Sequence, residues 1–198
     1  MLEDKDHKHN HFEEGNAVQS NNRVYSRGVD RLRSKERVEL MEVERVINLC
    51  SKENIKSVLD IGTGSALFAE GFSNTGHNVT GIDTNPEMIK AAKQYVPSGK
   101  FQEAPAEKIP FDDNTFDLTF FGVVFHEVDD YLKALKEAFR VSKVGTSILE
   151  WEYKQEDFGP PLEHRLKPDF IKKLAEDSGY KNVQVIKMNK LILYKLAK

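Results

Sequence analysis

The sequence predicts a three-layer α/β protein, in which a doubly wound and mostly parallel sheet of seven strands ends in an antiparallel hairpin. Three observations predict this class. Strand-like and helix-like segments alternate through the middle of the chain, the helices carry start signals where they are expected, and two strand-like runs follow each other closely near the C-terminus. One domain is expected, because 198 residues with 39% hydrophobic content bury a single core.

The N-terminal segment is expected to be disordered up to about residue 22, because it is polar and has no periodicity. His7, His9 and His11 alternate within it, which leaves two hypotheses open: a solvated tail, or a site for a transition metal. Residues 23–37 carry six basic residues against two acids. The following stretch "ERVELMEVERVINLCSK" has apolar residues at helical spacings and predicts one amphipathic helix.

Strands and helices are then predicted in alternation along the core. Asn85 followed by Pro86 and Glu87 marks one helix start, and Asp129 with Asp130 marks another. The predicted segments are, in order, "SVLDI" strand, "SALFAEGFSN" helix, "HNVTGID" strand, "NPEMIKAAKQYV" helix, "GKFQEA" strand, "FDLTFFG" strand, "DDYLKALKEAFRVS" helix and "GTSILEWEY" strand.

The C-terminal part predicts one more helix and the hairpin. Pro168 opens the helix and Gly179 stops it. The runs "NVQVIKM" and "KLILYKLA" are so close together that they must be antiparallel neighbours.

Composition excludes several functional classes. The net charge of -3 gives no general attraction to nucleic acid, so a small-molecule substrate is expected. The lone Cys50 lies in an apolar pattern, which favours a buried hydrophobe over a metal ligand or nucleophile. The N-terminus lacks the apolar segment of a signal peptide and "FFGVVF" is the longest apolar run, so a cytoplasmic protein without membrane contact is expected.

The stretch "VLDIGTGSALFAE", residues 58–70, predicts a ligand-binding turn after the first strand. A dinucleotide fingerprint would need a third glycine where Leu67 stands, and no Walker A loop occurs in the chain. The turn instead places an acid and small residues at every second position: Asp60, Gly62, Gly64 and Ala66.

These residues resemble the first motif of the class I S-adenosylmethionine-dependent methyltransferases, Asp/Glu-x-Gly-x-Gly-x-Gly, with Ala66 in place of the third glycine. The resemblance implies a Rossmann-like fold and S-adenosyl-L-methionine as cofactor. It also implies that Asp60, Gly62, Thr63 and Gly64 bind that cofactor.

A second motif, "GIDTNPEMI", ends the next strand with Asp83, 19 residues beyond Gly64. An acid at this strand end accepts ribose hydroxyls through charge-assisted hydrogen bonds. In the resembling family this is the ribose-binding position, and Asp83 and Thr84 are therefore expected at the cofactor.

A third motif, residues 104–111, resembles the adenine region of the family, where Pro105 replaces the usual acid. The backbone N–H of Ala106 is expected at the adenine ring, with Glu107 nearby. Phe121 on the fourth strand completes the expected cofactor residues, whereas Asp117 resembles a structural acid.

A fourth motif covers the helix and turn before the fifth long strand. Arg140, Val141, Lys143 and Gly145 match the family's pattern, while Val144 and Thr146 depart from it. The resemblance covers residues 38–198. It also implies that residues 23–55, with Tyr25 among its arginines, form a helical lid over the cofactor, within a single domain of residues 23–198.

The implied activity is in-line methyl transfer to a small molecule, similar to the broad group that includes menaquinone and ubiquinone biosynthesis C-methyltransferases. His126 and Glu127 are the candidate catalytic residues, followed by Glu150, Trp151 and His164. His126 has a suitable pKa for a base, but a wall position beside the cofactor is the alternative. A protein that binds S-adenosylmethionine or its product without turnover, as a sensor, is the alternative function.

Overall fold

The computed structural model describes residues 28–51 and 54–198. The predicted tail of residues 1–22, with its three histidines, and Tyr25 lie outside the described residues. The helices are α1 (Val29–Leu32), α2 (Lys35–Leu40), α3 (Val43–Cys50), α4 (Leu67–Asn74), α5 (Pro86–Tyr95), α6 (Tyr131–Val141) and α7 (Pro168–Ser178). The strands are β1 (Ser57–Ile61), β2 (Asn78–Asp83), β3 (Lys100–Glu103), β4 (Phe116–Gly122), β5 (Ser142–Trp151), β6 (Asn182–Lys187) and β7 (Leu191–Ala197).

The seven strands form one sheet in the order β3-β2-β1-β4-β5-β7-β6. Strands β1 to β5 pair in parallel, and β7 runs antiparallel to both β5 and β6. The predicted fold class and hairpin are confirmed. Because the chain crosses from β3 at one edge back to β4 beside β1, the topological switch point lies between β1 and β4.

Helices cover both faces of the sheet. On one face the core includes residues of α3, α4 and α5, such as Ile47, Phe72 and Ile89. On the other face it includes Leu135 of α6 and Ile171 of α7. Each of the helices α3 to α7 buries one apolar stripe against the sheet, so the two cores hold the strand ends in fixed positions.

The predicted helix starts are also present. The Asn85 side chain accepts a hydrogen bond from the Glu87 N–H at 2.9 Å, and Asp130 accepts one from Lys133 N–H at 3.0 Å. Gly179 ends α7 with φ of 99°, a left-handed conformation that glycine adopts without strain. These side chains satisfy helix-end groups that have no partner within the helix.

The prediction of one uninterrupted amphipathic helix between residues 36 and 52 is wrong. The chain breaks between α2 and α3, where Glu42 has φ of 46°. The Glu42 carboxylate accepts hydrogen bonds from Arg45, at 2.8 Å, and from the Asn189 N–H, at 2.7 Å. The contact with Asn189, in the β6–β7 turn, competes with the helical conformation, and the hydrophobic periodicity does not report it.

The fourth motif also differs from a simple turn, since α6 passes directly into β5 at Ser142. The β4–β5 register shifts between Phe116 and Leu118. Asp117 lies at this end of the sheet and accepts hydrogen bonds from the N–H groups of Lys56 and Ser57, both at 2.9 Å. The prediction that Asp117 is a structural acid is confirmed.

Among the described helices, none is long and apolar enough to span a membrane.

Candidate functional site

The carboxyl ends of the first three strands meet at one place. The Thr63 N–H donates to the Ile82 carbonyl at 2.9 Å, and the Gly64 N–H donates to Asp83 Oδ2 at 2.9 Å. The Ala104 N–H donates to the Asp83 carbonyl at 3.1 Å. Three segments predicted at the cofactor are therefore adjacent around the end of β2.

The glycine turn between β1 and α4 is left-handed at both glycines, with φ of 67° at Gly62 and 52° at Gly64. A Cβ at Gly62 would lie 2.6 Å from Val124 Cγ2, so a side chain there would collide with the segment after β4. A Cβ at Gly64 would meet only Leu32 Cδ1 at 3.7 Å. Gly62 thus permits close packing, and Gly64 leaves space where a ligand could approach the backbone.

Asp60 lies beneath this turn and is only 1% exposed. Its carboxylate accepts a hydrogen bond from Thr63 Oγ1 at 2.7 Å. Burial raises the pKa of Asp60 to about 7, although the Thr63 hydrogen bond acts in the opposite direction. Asp60 therefore orders the turn from the core side, through Thr63.

Asp83, at the end of β2, binds the backbone of the glycine turn through its carboxylate. Its two oxygens accept the N–H groups of Gly64 and Asn85, each at 2.9 Å. Burial raises its pKa, and the backbone donors partly offset this effect. An ionised carboxylate has about four acceptor positions, and the Thr84 N–H also bonds to this one, so acceptor capacity remains for one further donor from a ligand. Thr84 follows Asp83 and is exposed.

The third motif lies against the start of α6. Pro105 is exposed, and Ala106 is half-buried. One Glu107 carboxylate oxygen accepts the N–H groups of Asp129 at 3.1 Å and Asp130 at 3.3 Å. Glu107 thus ties residues 104–107 to the loop before α6.

Phe121 is completely buried, and its ring centroid lies 5.0 Å from that of Phe125. It packs in the core beneath the strand ends. The residue of this region that packs directly against the glycine turn is Val124.

The segment after β4 starts with a strained residue. Val123 has φ of 61°, a left-handed conformation that is costly for a β-branched side chain. Its N–H donates to the Leu149 carbonyl at 2.8 Å, which holds the segment on β5. The following short 3₁₀ turn, Phe125–Glu127, contains both candidate catalytic residues.

His126 is paired with Glu150 at the end of β5. His126 Nδ1 lies 3.0 Å and 2.9 Å from the two carboxylate oxygens, and both residues are buried. Burial lowers the pKa of His126, but the neighbouring Glu150 carboxylate more than offsets this, so the pKa is raised above its ordinary value. Glu127 lies on the other side, with Oε1 3.7 Å from His126 Nε2.

The first two helices contact the glycine turn through Arg33, which directly follows α1. The guanidinium donates to the Ser65 carbonyl at 2.8 Å and pairs with Glu70. It also stacks over the Tyr95 ring, 3.7 Å from the centroid. The described part of the predicted lid therefore lies beside the turn.

Trp151, the next residue after Glu150, has two guanidinium groups near its ring. Those of Arg37 and Arg165 are 5.8 Å and 5.5 Å from its ring. Arg165 donates to the carbonyls of Pro160, Glu152 and Phe158. It holds the loop after β5 in place, and His164 lies in the short 3₁₀ turn beside it.

Sequence reasoning missed the contacts made by Leu32, Arg33 and Val124. The basic composition of residues 23–37 indicated a functional segment, but not which arginine reaches the turn. Among the described residues there is no group of three or more potential metal ligands.

Comparison with known proteins shows which family and which solved structures this chain is similar to. Residues 59–149 match the family model described as a methyltransferase domain. A demethylmenaquinone methyltransferase of Renibacterium salmoninarum is 32% identical over 103 residues, which are 52% of this chain and 44% of that protein. A ubiquinone/menaquinone biosynthesis C-methyltransferase of Geotalea daltonii is 32% identical over 141 residues, 67% of this chain and 56% of its own length.

The chain therefore spans about half the length of the curated relatives it matches. Among solved structures, a SAM-dependent methyltransferase from Aquifex aeolicus superposes with a TM-score of 0.75 at 29% identity. That match covers 85% of this chain and 95% of the other. The fold of this chain thus has a counterpart in a SAM-dependent methyltransferase.

Proposed function

Because the chain carries a class I S-adenosylmethionine-dependent methyltransferase domain, we propose that it transfers the cofactor's methyl group to a small-molecule acceptor. The observation that supports this most is the meeting of Gly64 and Asp83 at the switch point of the sheet. Bare backbone there lies next to a carboxylate that retains acceptor capacity. The acidic net charge of the chain fits a small acceptor better than a nucleic acid.

The residues present fit an adenosyl cofactor. In this proposal, Asp83 accepts a ribose hydroxyl, while Gly62 and Gly64 provide the backbone surface for the amino-acid end. Asp60 and Thr63 hold that turn from beneath. Thr84, Pro105, Ala106 and Glu107 line the adenine side, and Phe121 supports the site from the core.

S-adenosylmethionine supplies an electrophilic methyl group on a sulfonium. The protein's contribution is to align the acceptor in line with that methyl group and to exclude water, which lowers the entropic part of the barrier. Leu32 and Arg33 lie beside the turn, and the segment after β4 packs against it through Val124. The two curated relatives are named as a demethylmenaquinone methyltransferase and a ubiquinone/menaquinone biosynthesis C-methyltransferase, which supports a small molecule as the acceptor.

Calorimetric titration with S-adenosylhomocysteine tests the cofactor assignment. We expect the wild type to bind and Asp83→Ala to bind about 1 to 3 kcal/mol more weakly, because a charge-assisted hydrogen bond is lost. The matched control is Asp117→Ala, which removes an acid that also accepts two backbone N–H groups, but at the opposite end of the sheet.

The Asp117→Ala control should have a lower free energy of unfolding but an unchanged affinity for S-adenosylhomocysteine. A wild type that does not bind at any accessible concentration would refute the cofactor assignment. Equal losses in both variants would show that Asp83 acts only through the stability of the fold. The sensor hypothesis predicts tight binding without methyl transfer to any acceptor.

A further inference from the structure

We infer that Arg140 and Glu137, on α6, are positioning residues for the proposed cofactor site, because they hold the loop that is expected at the adenine ring. This inference rests on the proposed function and adds to it the residues that place the adenine loop, residues 104–111. Arg140 and Glu137 act on the ligand through this loop. They set how tightly the site binds an adenosyl group and how well it distinguishes adenine from another base.

The adenine loop offers a backbone donor to a ligand. At its start the Ala104 N–H donates to the Asp83 carbonyl at 3.1 Å, and the Lys108 N–H then donates to the Pro105 carbonyl at 3.2 Å in a turn. No residue that the structure describes accepts the N–H of Ala106, which is half-buried. That N–H is therefore available to a ring nitrogen of an adenine base.

Ile109 is bound to α6 through both of its backbone groups. Its N–H donates to Glu137 Oε2 at 2.8 Å, and its carbonyl accepts from Arg140 Nη2 at 2.9 Å. Arg140 Nη1 also donates to the Phe111 carbonyl at 2.7 Å. Because each of these bonds includes a charged partner, the loop cannot shift along the helix without losing strong hydrogen bonds.

Arg140 and Glu137 also fix each other's orientation. Arg140 Nε and Nη2 donate to the two Glu137 oxygens at 2.7 Å and 2.9 Å, and Nη1 donates to Asp113 at 2.9 Å. The hydrogen bonds from Arg140 lower the pKa of Glu137, so this carboxylate is ionised at neutral pH. A planar guanidinium meets all of these acceptors at once, whereas the ammonium of a lysine is a single point of charge.

The adenine loop has a second attachment to the same helix. The Glu107 carboxylate accepts the N–H groups of Asp129 and Asp130, which lie directly before α6. At 1.5 Å per residue, the attachments at Asp130 and Glu137 are about 10 Å apart along the helix axis. Ala106 directly precedes both attached residues of the loop. The position of its N–H relative to the glycine turn therefore depends on where α6 holds the loop.

A role in stability alone does not explain why Arg140 and Glu137 bind this loop. Their side chains are 31% and 21% exposed, and ion pairs this close to solvent contribute little to the free energy of unfolding. The buried face of α6, which includes Leu135 and Ala138, already attaches the helix to the sheet. The pair therefore determines the geometry of the loop more than the stability of the fold.

Calorimetry with S-adenosylhomocysteine and S-inosylhomocysteine tests this role on the full chain. The two ligands differ only in the base, because hypoxanthine has a proton on N1 and a carbonyl in place of the amine of adenine. An Ala106 N–H placed to donate to adenine N1 meets another donor in hypoxanthine. We therefore expect the wild type to prefer S-adenosylhomocysteine by about tenfold or more.

Arg140→Lys retains the charge but loses the fork of donors. We expect it to bind S-adenosylhomocysteine about tenfold more weakly, and to change the affinity for S-inosylhomocysteine by less than about threefold. Its preference for adenine should therefore decrease, whereas a merely structural defect would weaken both ligands equally. Amide hydrogen exchange should accelerate in residues 104–111 and stay unchanged in β1 and β4.

Glu137 provides a second pair of variants. Glu137→Gln retains an oxygen that can accept the Ile109 N–H, whereas Glu137→Ala loses it. We expect Glu137→Gln to keep more of the affinity for S-adenosylhomocysteine than Glu137→Ala does. If Arg140→Lys does not fold, this comparison decides the test, and equal affinities in the two Glu137 variants would overturn the inference.

Arg45→Lys is the matched control for Arg140→Lys. Arg45 also pairs with a glutamate three residues before it, Glu42, and also donates to a carbonyl, but it lies on α3. Both ligands should bind this control with affinities unchanged within about twofold.

Three results would overturn the inference: an Arg140→Lys variant that binds S-adenosylhomocysteine as tightly as the wild type, equal losses of affinity for both ligands, or a wild type without preference between them. Failure of the wild type to bind S-adenosylhomocysteine would instead refute the proposed function. The two failures are therefore distinguishable.

Discussion

Ala66 adopts the left-handed conformation, with φ of 61° and ψ of 31°, directly before α4. The first motif of the class I S-adenosylmethionine-dependent methyltransferases has its third glycine at this position. A left-handed conformation costs a non-glycine residue about 1–2 kcal/mol, which explains the usual preference for glycine. The Ala66 side chain is fully buried in the core, and this burial offsets part of the cost.

A substitution at Gly64 tests whether a ligand binds against the backbone of the turn. Gly64→Ala should weaken S-adenosylhomocysteine binding by at least tenfold, because the added methyl group occupies the space beside the backbone. Its fold should lose only about 1–2 kcal/mol, the cost of the left-handed conformation. The control is Gly76→Ala, which also has positive φ, 87°, and no atom within 4 Å of the added Cβ. Calorimetry and urea unfolding measure the two quantities, and equal affinities in both variants would contradict a ligand at Gly64.

At the scale of elements, the two short N-terminal helices depend on tertiary contacts for their position. Helices α1 and α2 contain four and six residues, too few to be stable alone, and neither contains a buried residue. Arg33 anchors the junction of the two helices through Ser65, Glu70 and Tyr95, while Leu40 and Met41 attach the end of α2 to the core. The position of α1 and of the start of α2 therefore depends on Arg33.

Replacing Arg33 should loosen the N-terminal helices selectively. Arg33→Gln should speed amide hydrogen exchange in residues 28–41 about tenfold or more, since charge-assisted hydrogen bonds contribute roughly 1.5–3 kcal/mol. Exchange in the sheet should not change. Arg45→Gln is the matched control, because Arg45 also contacts an acid, Glu42, and a carbonyl, that of Lys187. Exchange that increases equally in both variants would contradict the anchoring role.

At the scale of the whole molecule, β1 pairs with both β2 and β4 and lies inside the sheet. A buried charge on this strand therefore affects global unfolding. Asp60 on β1 has its pKa raised to about 7 by burial, against an ordinary value of 3.8. The folded state consequently binds a proton that the unfolded state has already released between these pH values, and stability falls as pH rises through this window.

Asp60→Asn removes that titration. Between pH 5 and pH 8, the wild type should lose on the order of 1–3 kcal/mol of unfolding free energy relative to Asp60→Asn. Urea unfolding, followed by the fluorescence of Trp151, the single tryptophan, measures both proteins. A difference that does not vary with pH would show that the Asp60 carboxyl has the same pKa in both states.

Much of the fold could be predicted because its causes are local. Alternating apolar runs, Asn85 and Asp130 as helix caps, and the near-contiguous final strands specify the elements along the chain and the pairing of the last two strands. The break at Glu42 escaped prediction, since one of the groups that hold it, the Asn189 N–H, lies 147 residues away in the chain. Periodicity within a segment carries no information about such distant partners.

The sequence by itself determined the α/β class, the glycine turn and the acid that follows it, because each depends on residues close together in the chain. Only the tertiary structure decided that Val124 packs on Gly62, that Arg33 reaches Ser65, and that His126 meets Glu150. These contacts join residues brought together by parallel strands ending at one edge of the sheet. The reason is physical: hydrogen bonds and packing between distant segments exist only once the strands are in register.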